Sequence, residues 1–334
     1  MVSQPENRFY LSGFSGSAGF LLITQRDEIL ATDFRYLEQA KRQSPDYEIF
    51  HTTGEVENWF PRLTGELAVN KLAFEAEHVS FATYRHLSDM LSNSKSQLRL
   101  VPLDVLVEDL RAVKEPEEIE LITEAVAISD AAMEYITNGM HAGMTEGEIA
   151  WELEKFLHEQ GSQSLPFDII VASGANAALP HAQPSGRNIQ HGEPVLIDIG
   201  AKVQGYASDL SRTICLGKPD DTFKKVYDVV LRAQLAAIAG ITDGMTGKQA
   251  DSLAREVIIK AGYGDNFGHG LGHGLGLATH EKPYLTQASR DKLTDGMVFT
   301  IEPGIYLTGW GGVRIEDTVV MENGKIRVLS RARK

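Results

Sequence analysis

A single cysteine, Cys215, stands in a chain of 334 residues. One thiol excludes an internal disulfide framework and any cysteine-rich zinc finger. Positive charge is scarce as well: 32 Lys and Arg face 46 Asp and Glu, a formal net charge of −14. A general nucleic-acid binder draws its affinity from neutralising phosphates, and an anionic membrane surface demands the same surplus of cations. Neither partner is expected. No apolar run approaches the ~18 residues of a membrane span. The opening Met1-Val2-Ser3-Gln4-Pro5-Glu6-Asn7 lacks the basic and apolar stretches of a secretory signal. A reducing, cytoplasmic setting is the expectation. What is present suits a buried core, since 43% of residues are apolar and 23% charged. At roughly 100–200 residues per domain, this length implies two or three domains.

The first ~110 residues read as mixed α/β. Short apolar runs over 19–24 and 28–32, separated by Gln25-Arg26-Asp27, predict a strand hairpin. Helices are expected over 34–42 and 81–91, and strands over 71–75 and 98–102. The Gly/Ser-rich segment over 12–19 lacks the spacing of a phosphate-binding loop, so a structural turn is the better reading. Around Lys114-Glu115-Pro116-Glu117-Glu118 the texture changes. Pro116 suits a first helical position, and Ile119, Ile122, Ala125, Val126 and Ala132 recur at helical spacing. A second domain opens there, giving the division 1–112 and 113–334. Its helices continue over 145–159, 221–240 and 246–261, the last from a Thr246 N-cap pattern. Strands are expected over 167–172, 195–199, 208–216, 298–306 and 313–321. No internal repeat is evident.

The informative residues are acids and histidines on these strands. Strand-like runs flank Gln204-Gly205 and predict a hairpin; if its turn centres on Val203 and Gln204, Asp198 stands opposite Asp209, where Cβ atoms approach about 4.5–5.5 Å and like charges repel. Asp198 also lies among apolar neighbours, where a lone carboxylate is costly. A bound cation resolves both problems. A second hairpin, turning through Thr308-Gly309-Trp310-Gly311-Gly312, sets Glu302 opposite Glu316, with Arg314 on the same face as Glu316. The third element is Gly268-His269-Gly270-Leu271-Gly272-His273-Gly274, continuing to His280. His269 and His273 have the spacing of a helical zinc motif, but each glycine costs a helix about 0.8–1.0 kcal/mol relative to alanine. Extended backbone is expected instead, its bare side open to close backbone approach. His181, in Leu179-Pro180-His181-Ala182-Gln183, adds a fourth histidine. Four carboxylates and one imidazole, His273, balance two divalent ions, and this donor set suits Mn²⁺, Co²⁺, Fe²⁺ or Zn²⁺. Such ions generate hydroxide near neutral pH, which makes the site hydrolytic.

These residues resemble the pita-bread metallopeptidases, in the Xaa-Pro branch that contains prolidase and aminopeptidase P. The motifs are Asp198 and Asp209 separated by ten residues, His269-Gly-Leu-Gly-His273 with His280 seven further on, Glu302-Pro-Gly, and Arg314-Ile-Glu316-Asp317. Weaker similarity reaches the first domain through Tyr10-Leu11-Ser12-Gly13-Phe14. The resemblance implies a small creatinase-like α/β domain followed by a pita-bread catalytic domain. It implies two divalent ions held by Asp198, Asp209, His273, Glu302 and Glu316, with Asp209 and Glu316 bridging both. It further implies Glu302 as proton shuttle, and His181, His269 and His280 facing the substrate. Phe167 and Ile170 are implied as an apolar proline pocket, and Arg314 as a partner that orients the bridging carboxylates. The implied substrates are proline-containing dipeptides or short peptides, and the implied assembly is a homodimer.

Departures from the pattern matter too. Relatives begin with an extra helix and strand, so a truncated or short first domain is expected here. Many carry Tyr where Val203 stands, and a basic residue where Tyr284 stands, which weakens a strict dipeptide preference. The segment Asp33-Phe34-Arg35-Tyr36 is read as helix capping in preference to a reach into a neighbour's site. The competing readings are methionine aminopeptidase-like specificity and a noncatalytic module on the same fold. Creatine-hydrolysing relatives work without metal and are disfavoured by the complete ligand set.

Overall fold

A computed structural model describes residues 1–67, 69–93, 96–105 and 107–334. It divides into two compact units, Met1–Asp109 and Leu110–Lys334. The first alternates α1 (Pro5–Ser12), β1 (Phe20–Ile23), β2 (Glu28–Thr32), α2 (Leu37–Gln43), β3 (Glu48–His51), α3 (Val56–Glu66), β4 (Lys71–Glu75), α4 (Phe81–Asn93) and β5 (Arg99–Leu103). β1 and β2 form the expected hairpin, with Phe20 opposite Ala31, and β3 joins β2 in parallel. β4 and β5 pair in parallel. Helix α1 was not foreseen. It ends at Gly13, whose left-handed backbone (φ 70°) returns its N–H to Phe9 O. The Gly/Ser-rich segment that follows is a turn tied down by Arg8, whose guanidinium donates to the Gly16 and Gly19 carbonyls. Asp33 does not cap α2. It accepts from the backbone and guanidinium of Arg35, and Tyr36 stands at the N-cap without a side-chain capping bond.

Helix α5 (Glu108–Ala112) leads into the second unit. There follow α6 (Pro116–Gly139), α7 (Glu146–Glu159), β6 (Ile170–Ser173), β7 (Pro194–Ile199), β8 (Lys202–Val203), β9 (Tyr206–Ala207) and β10 (Leu210–Cys215). Then come α8 (Asp221–Gly240), α9 (Gly247–Lys260), β11 (Gly272–Gly274), β12 (Glu281–Leu285), β13 (Val298–Ile301), β14 (Gly304–Leu307), β15 (Gly311–Arg314), β16 (Asp317–Glu322) and β17 (Lys325–Val328). Apolar stripes decide the packing. Ala125, Ala132 and Ile136 of α6, with Ile149, Leu153 and Leu157 of α7, bury against Val195, Ile197 and Ile199 of β7. Val226, Val230 and Ala233 of α8, with Ala250, Ala254 and Ile258 of α9, bury against Phe299, Ile301 and Val319. Each fully buried Leu, Ile or Val contributes about 1.5–3 kcal/mol, so these two cores carry the unit.

The halves repeat, although no repeat was evident in the sequence. Each helix pair turns through Gly-Met-Thr, at 143–145 and at 244–246, and each threonine closes a capping box, with Glu148 or Gln249. Backbone anchors then match in order. Gly143 donates to Ile189 O, Glu146 to Arg187 O and Gly147 to Ser185 O; Gly244 donates to Leu293 O, Gly247 to Asp291 O and Lys248 to Ser289 O.

Two strand expectations are corrected. Asp198 faces Ser211, not Asp209. The turn is Gln204-Gly205, both residues at positive φ (46° and 89°), and this two-residue hairpin shifts the register. Asp209 lies two residues along, diagonal to Asp198 on the same face. The strands expected over 298–306 and 313–321 are each cut in two. Pro303 has no N–H for a ladder; Glu302 N–H turns to Leu271 O (2.8 Å) and Glu316 N–H to Ser211 O (3.1 Å). β13 and β16 belong to a five-stranded sheet ordered β12-β11-β13-β16-β17, whereas β14 and β15 pair by themselves. Register is kept across the break, Ile301 facing Asp317 and Gly304 facing Arg314, which leaves Glu302 across from Glu316 as expected. The glycine-rich segment forms no helix. A Cβ on Gly272 would lie 2.0 Å from Thr300 O, and one on Gly274 2.0 Å from Lys282 O, so neighbouring backbone fills their bare side.

Candidate active site

One cavity of about 510 Å³ in the second unit gathers Asp198, Asp209, His273, Glu302 and Glu316. His181, His269, His280, Phe167, Ile170 and Arg314 line the same cavity. All the residues singled out in the sequence therefore meet. The break in β13–β14 and β15–β16 aims the two glutamates inward, while Asp198 on β7 and Asp209, just ahead of β10, bring the two aspartates. Asp209, His273 and Glu316, all buried, each offer a ligand atom within 4.8 Å of the others and could hold a metal ion. His273 Nε2 lies 3.6 Å from Asp209 Oδ2 and 3.4 Å from Glu302 Oε1. Its Nδ1 is 3.1 Å from Gly274 O, which only accepts. Nδ1 thus carries the proton, and Nε2 turns a lone pair toward the acids.

The charges do not balance. Burial, and then Glu316 and Asp198, push the Asp209 carboxyl well above the usual range. Burial, Glu302 and Asp198 do the same to Glu316, and burial raises Glu302. Among the described residues lining the cavity, Arg314 is the one Lys or Arg. Its Nη2 lies 2.5 Å from Asp198 Oδ2, so it pairs with Asp198 and not with the carboxylates expected to bridge. It reaches Glu316 through Ser211, donating to Ser211 Oγ (2.9 Å), which donates to Glu316 Oε2 (2.8 Å). Asp198 Oδ1 is buried without a hydrogen-bond partner. Surplus buried negative charge, an orphaned carboxylate oxygen and an oxygen-rich donor set with one imidazole fit divalent cations.

The histidines are held by residues the sequence reading missed. His269 Nε2 meets Tyr306 OH at 2.9 Å, and that hydroxyl accepts from Arg314 Nη1 at 3.0 Å. A chain thus runs Asp198–Arg314–Tyr306–His269. Strand alternation could have found Tyr306, which shares a face with Gly304 and points back toward Glu302. Arg255 donates to the carbonyls of Phe267 (2.9 Å) and His269 (2.6 Å), while Asp251 Oδ1 accepts from Leu271 N–H (3.1 Å). Glu281, next to His280, is buried between Lys114 (2.7 Å) and Arg111. The rings of His273 and His280 lie 4.2 Å apart. Burial lowers His269 and His273, and burial together with His273 brings His280 down to about 4. Ile170 sits opposite Asp198 in the β6–β7 pair, and Tyr284 lines the cavity, 42% exposed. Among the described residues, no helix is long and apolar enough to cross a membrane.

Comparison with known proteins adds to this geometry. Residues 120–323 match metallopeptidase family M24, and residues 1–113 match the creatinase/prolidase N-terminal domain. The chain superposes on the Xaa-Pro dipeptidase from Bacillus anthracis with a TM-score of 0.95 at 41% identity, covering 100% of this chain and 92% of that one. On the X-Pro aminopeptidase from Thermotoga maritima the TM-score is 0.89 at 38% identity, covering 98% and 92%. The Xaa-Pro dipeptidase of Pyrococcus furiosus is 36% identical, over 99% of this chain and 93% of its own length.

Proposed function

This chain belongs to metallopeptidase family M24, and from that premise we propose that it hydrolyses the bond before proline in dipeptides or short peptides, using two divalent ions. It is an enzyme built of a creatinase/prolidase N-terminal domain and a pita-bread catalytic domain. The observation that carries the reading is the convergence of Asp209, His273 and Glu316 within 4.8 Å, with Asp198 and Glu302 on the same cavity wall. These five side chains would hold the ions. When bound, divalent cations supply Lewis-acid polarisation of a peptide carbonyl and acidification of water.

The chain's own residues do the rest. The nitrogen of the scissile bond is proline's own, a tertiary amide with no N–H, so it must gain a proton to leave. Glu302, half-buried and 3.3 Å from Thr300 Oγ1, is the carboxyl placed to carry it. Arg314 orients Asp198, and through Tyr306 it fixes the His269 ring. His280 and His181 face the space beside the acids, while Phe167 and Ile170 offer the apolar wall for a pyrrolidine ring. Support for proline comes from the relatives named above, all of them Xaa-Pro or X-Pro peptidases.

The test is to assay Ala-Pro, Ala-Pro-Ala and Met-Ala after chelation and refilling with Mn²⁺, Co²⁺, Zn²⁺ or Fe²⁺ singly. Cleavage of the proline substrates should return only with metal, at about two ions per chain. Full turnover in exhaustively chelated protein defeats the mechanism. Cleavage of Met-Ala but not Ala-Pro transfers the specificity to the methionine aminopeptidase type.

A further inference from the structure

The loop that carries His181 is fastened at both ends to one buried carboxylate. Glu146, the first residue of α7, is fully buried. Its Oε1 accepts from Ser173 N–H (2.7 Å), Ser173 Oγ (2.7 Å) and Asn176 Nδ2 (3.1 Å) at the start of the loop. Its Oε2 accepts from Ser185 N–H (3.1 Å) and Ser185 Oγ (2.5 Å) at the far end, and also from Asn176 Nδ2 (3.2 Å). Between these anchors, Pro180, His181, Ala182 and Gln183 form part of the cavity wall. Burial alone would raise the Glu146 carboxyl, but the bonds from Ser185, Ser173 and Asn176 outweigh it and hold the group below its ordinary value. Arg187 is committed elsewhere, to Glu193 and to Ser173 Oγ.

The internal repeat supplies an independent comparison. By the matched anchors, Gly247 stands in the second half where Glu146 stands in the first. A Cβ at Gly247 would lie 2.0 Å from Tyr284 O, so there the backbone closes directly on the turn. The helix turn itself therefore needs no carboxylate. The side chain is particular to the half whose loop bears a cavity histidine.

We infer that Glu146 is a positioning residue for His181: its carboxylate holds both ends of the 173–185 loop, and so sets where the imidazole meets substrate. The inference rests on the peptidase reading above for what His181 does, and on geometry alone for how it is held. Glu146→Gln keeps the volume but replaces one acceptor oxygen with a donor, so it releases one end of the loop.

The test is a double-mutant cycle of Glu146→Gln and His181→Ala on Ala-Pro, with metal content measured in all four proteins. Glu146→Gln should lower kcat/KM by roughly tenfold or more, since buried hydrogen bonds to a charged group are lost, with metal content unchanged. In the His181→Ala background the same change should alter kcat/KM by less than about twofold. Equal losses in both backgrounds, or loss of metal, overturn the inference. Should Glu146→Gln fail to fold, Ser185→Ala removes one donor to Oε2 and runs through the same cycle. A second readout does not depend on the reaction: backbone amides over 173–185 should exchange faster with deuterium in Glu146→Gln at unchanged overall stability. Wild-type protection across that loop refutes the inference even if Ala-Pro proves not to be a substrate, an outcome that defeats only the peptidase specificity.

Discussion

Removing one acid from the cavity should make the metal-free protein more stable. The ligand atoms of Asp209, His273 and Glu316 lie within 4.8 Å of one another. At that separation and an effective permittivity of about 20, two carboxylates repel by roughly 3 kcal/mol. Asp209 Oδ2 lies 3.6 Å from His273 Nε2, beyond hydrogen-bond distance, so an amide there forfeits no hydrogen bond to that ring. Asp209→Asn keeps the shape and deletes the charge. Because burial, Glu316 and Asp198 raise the Asp209 carboxyl, its penalty is absent below the ordinary carboxylate range and grows as pH rises through the raised value. At about 2–4 °C per kcal/mol for a unit of this size, the chelated variant should melt up to roughly 6–12 °C above chelated wild type at about pH 8. The gap should close toward about pH 4. With divalent ion present the order reverses: wild type gains about 2.7 kcal/mol per ion at a hundredfold excess over Kd, and the variant, short of a ligand, gains less. Calorimetric melts with chelator and with Mn²⁺, at both pH values, decide the matter. If chelated Asp209→Asn melts at or below chelated wild type at pH 8, the acids are not in electrostatic conflict, and the physical case for cations fails.

Three further perturbations follow from the same geometry. Gly272→Ala drives a Cβ to 2.0 Å from the Thr300 carbonyl; a loss of about 1–3 kcal/mol is expected in urea unfolding, and an unchanged midpoint would contradict the close strand approach. Glu281→Gln removes the carboxylate shared by Lys114 and Arg111; it should cost about 3–5 kcal/mol, and a change under half a kcal/mol would show the cluster to be incidental. His280, brought down to about 4, contributes stability above the ordinary histidine value that is lost as pH falls toward 4. Its ring resonances in the chelated protein should stay constant from about pH 8 to 5.5, and a midpoint near 6.5 refutes the assignment.

The sequence made the long helices legible because their apolar stripes are periodic, and it made Glu302 and Glu316 legible because a short glycine-bearing loop fixes one register. It misplaced Asp198 against Asp209 because Gln204 adopts positive φ, which nothing in a glutamine announces. Helix α1 was missed because its eight residues carry no apolar period, only Pro5 and Gly13 as boundaries. Tyr306 was within reach of the alternation argument. Glu146, Arg255, Lys114 and Arg111 were not, since each meets its partners through contacts that only the folded chain creates. The internal repeat hid for a related reason. Its halves share a three-residue turn and a set of backbone anchors, while their cores use different side chains.

That duplication has a chemical consequence. A polypeptide half as long could build such a centre only by dyad pairing, and two identical copies would have to donate identical ligands to both cations. Fusing the copies lifts that requirement. In this chain the leading half brings Asp198 and Asp209 to the cavity, and the trailing half brings Glu302, Glu316 and His273. On the proposed two-ion reading the cation positions would be chemically inequivalent, one ligated by oxygen alone and the other softened by nitrogen, and they would load stepwise with unequal affinities, an asymmetry set by the difference between the repeats.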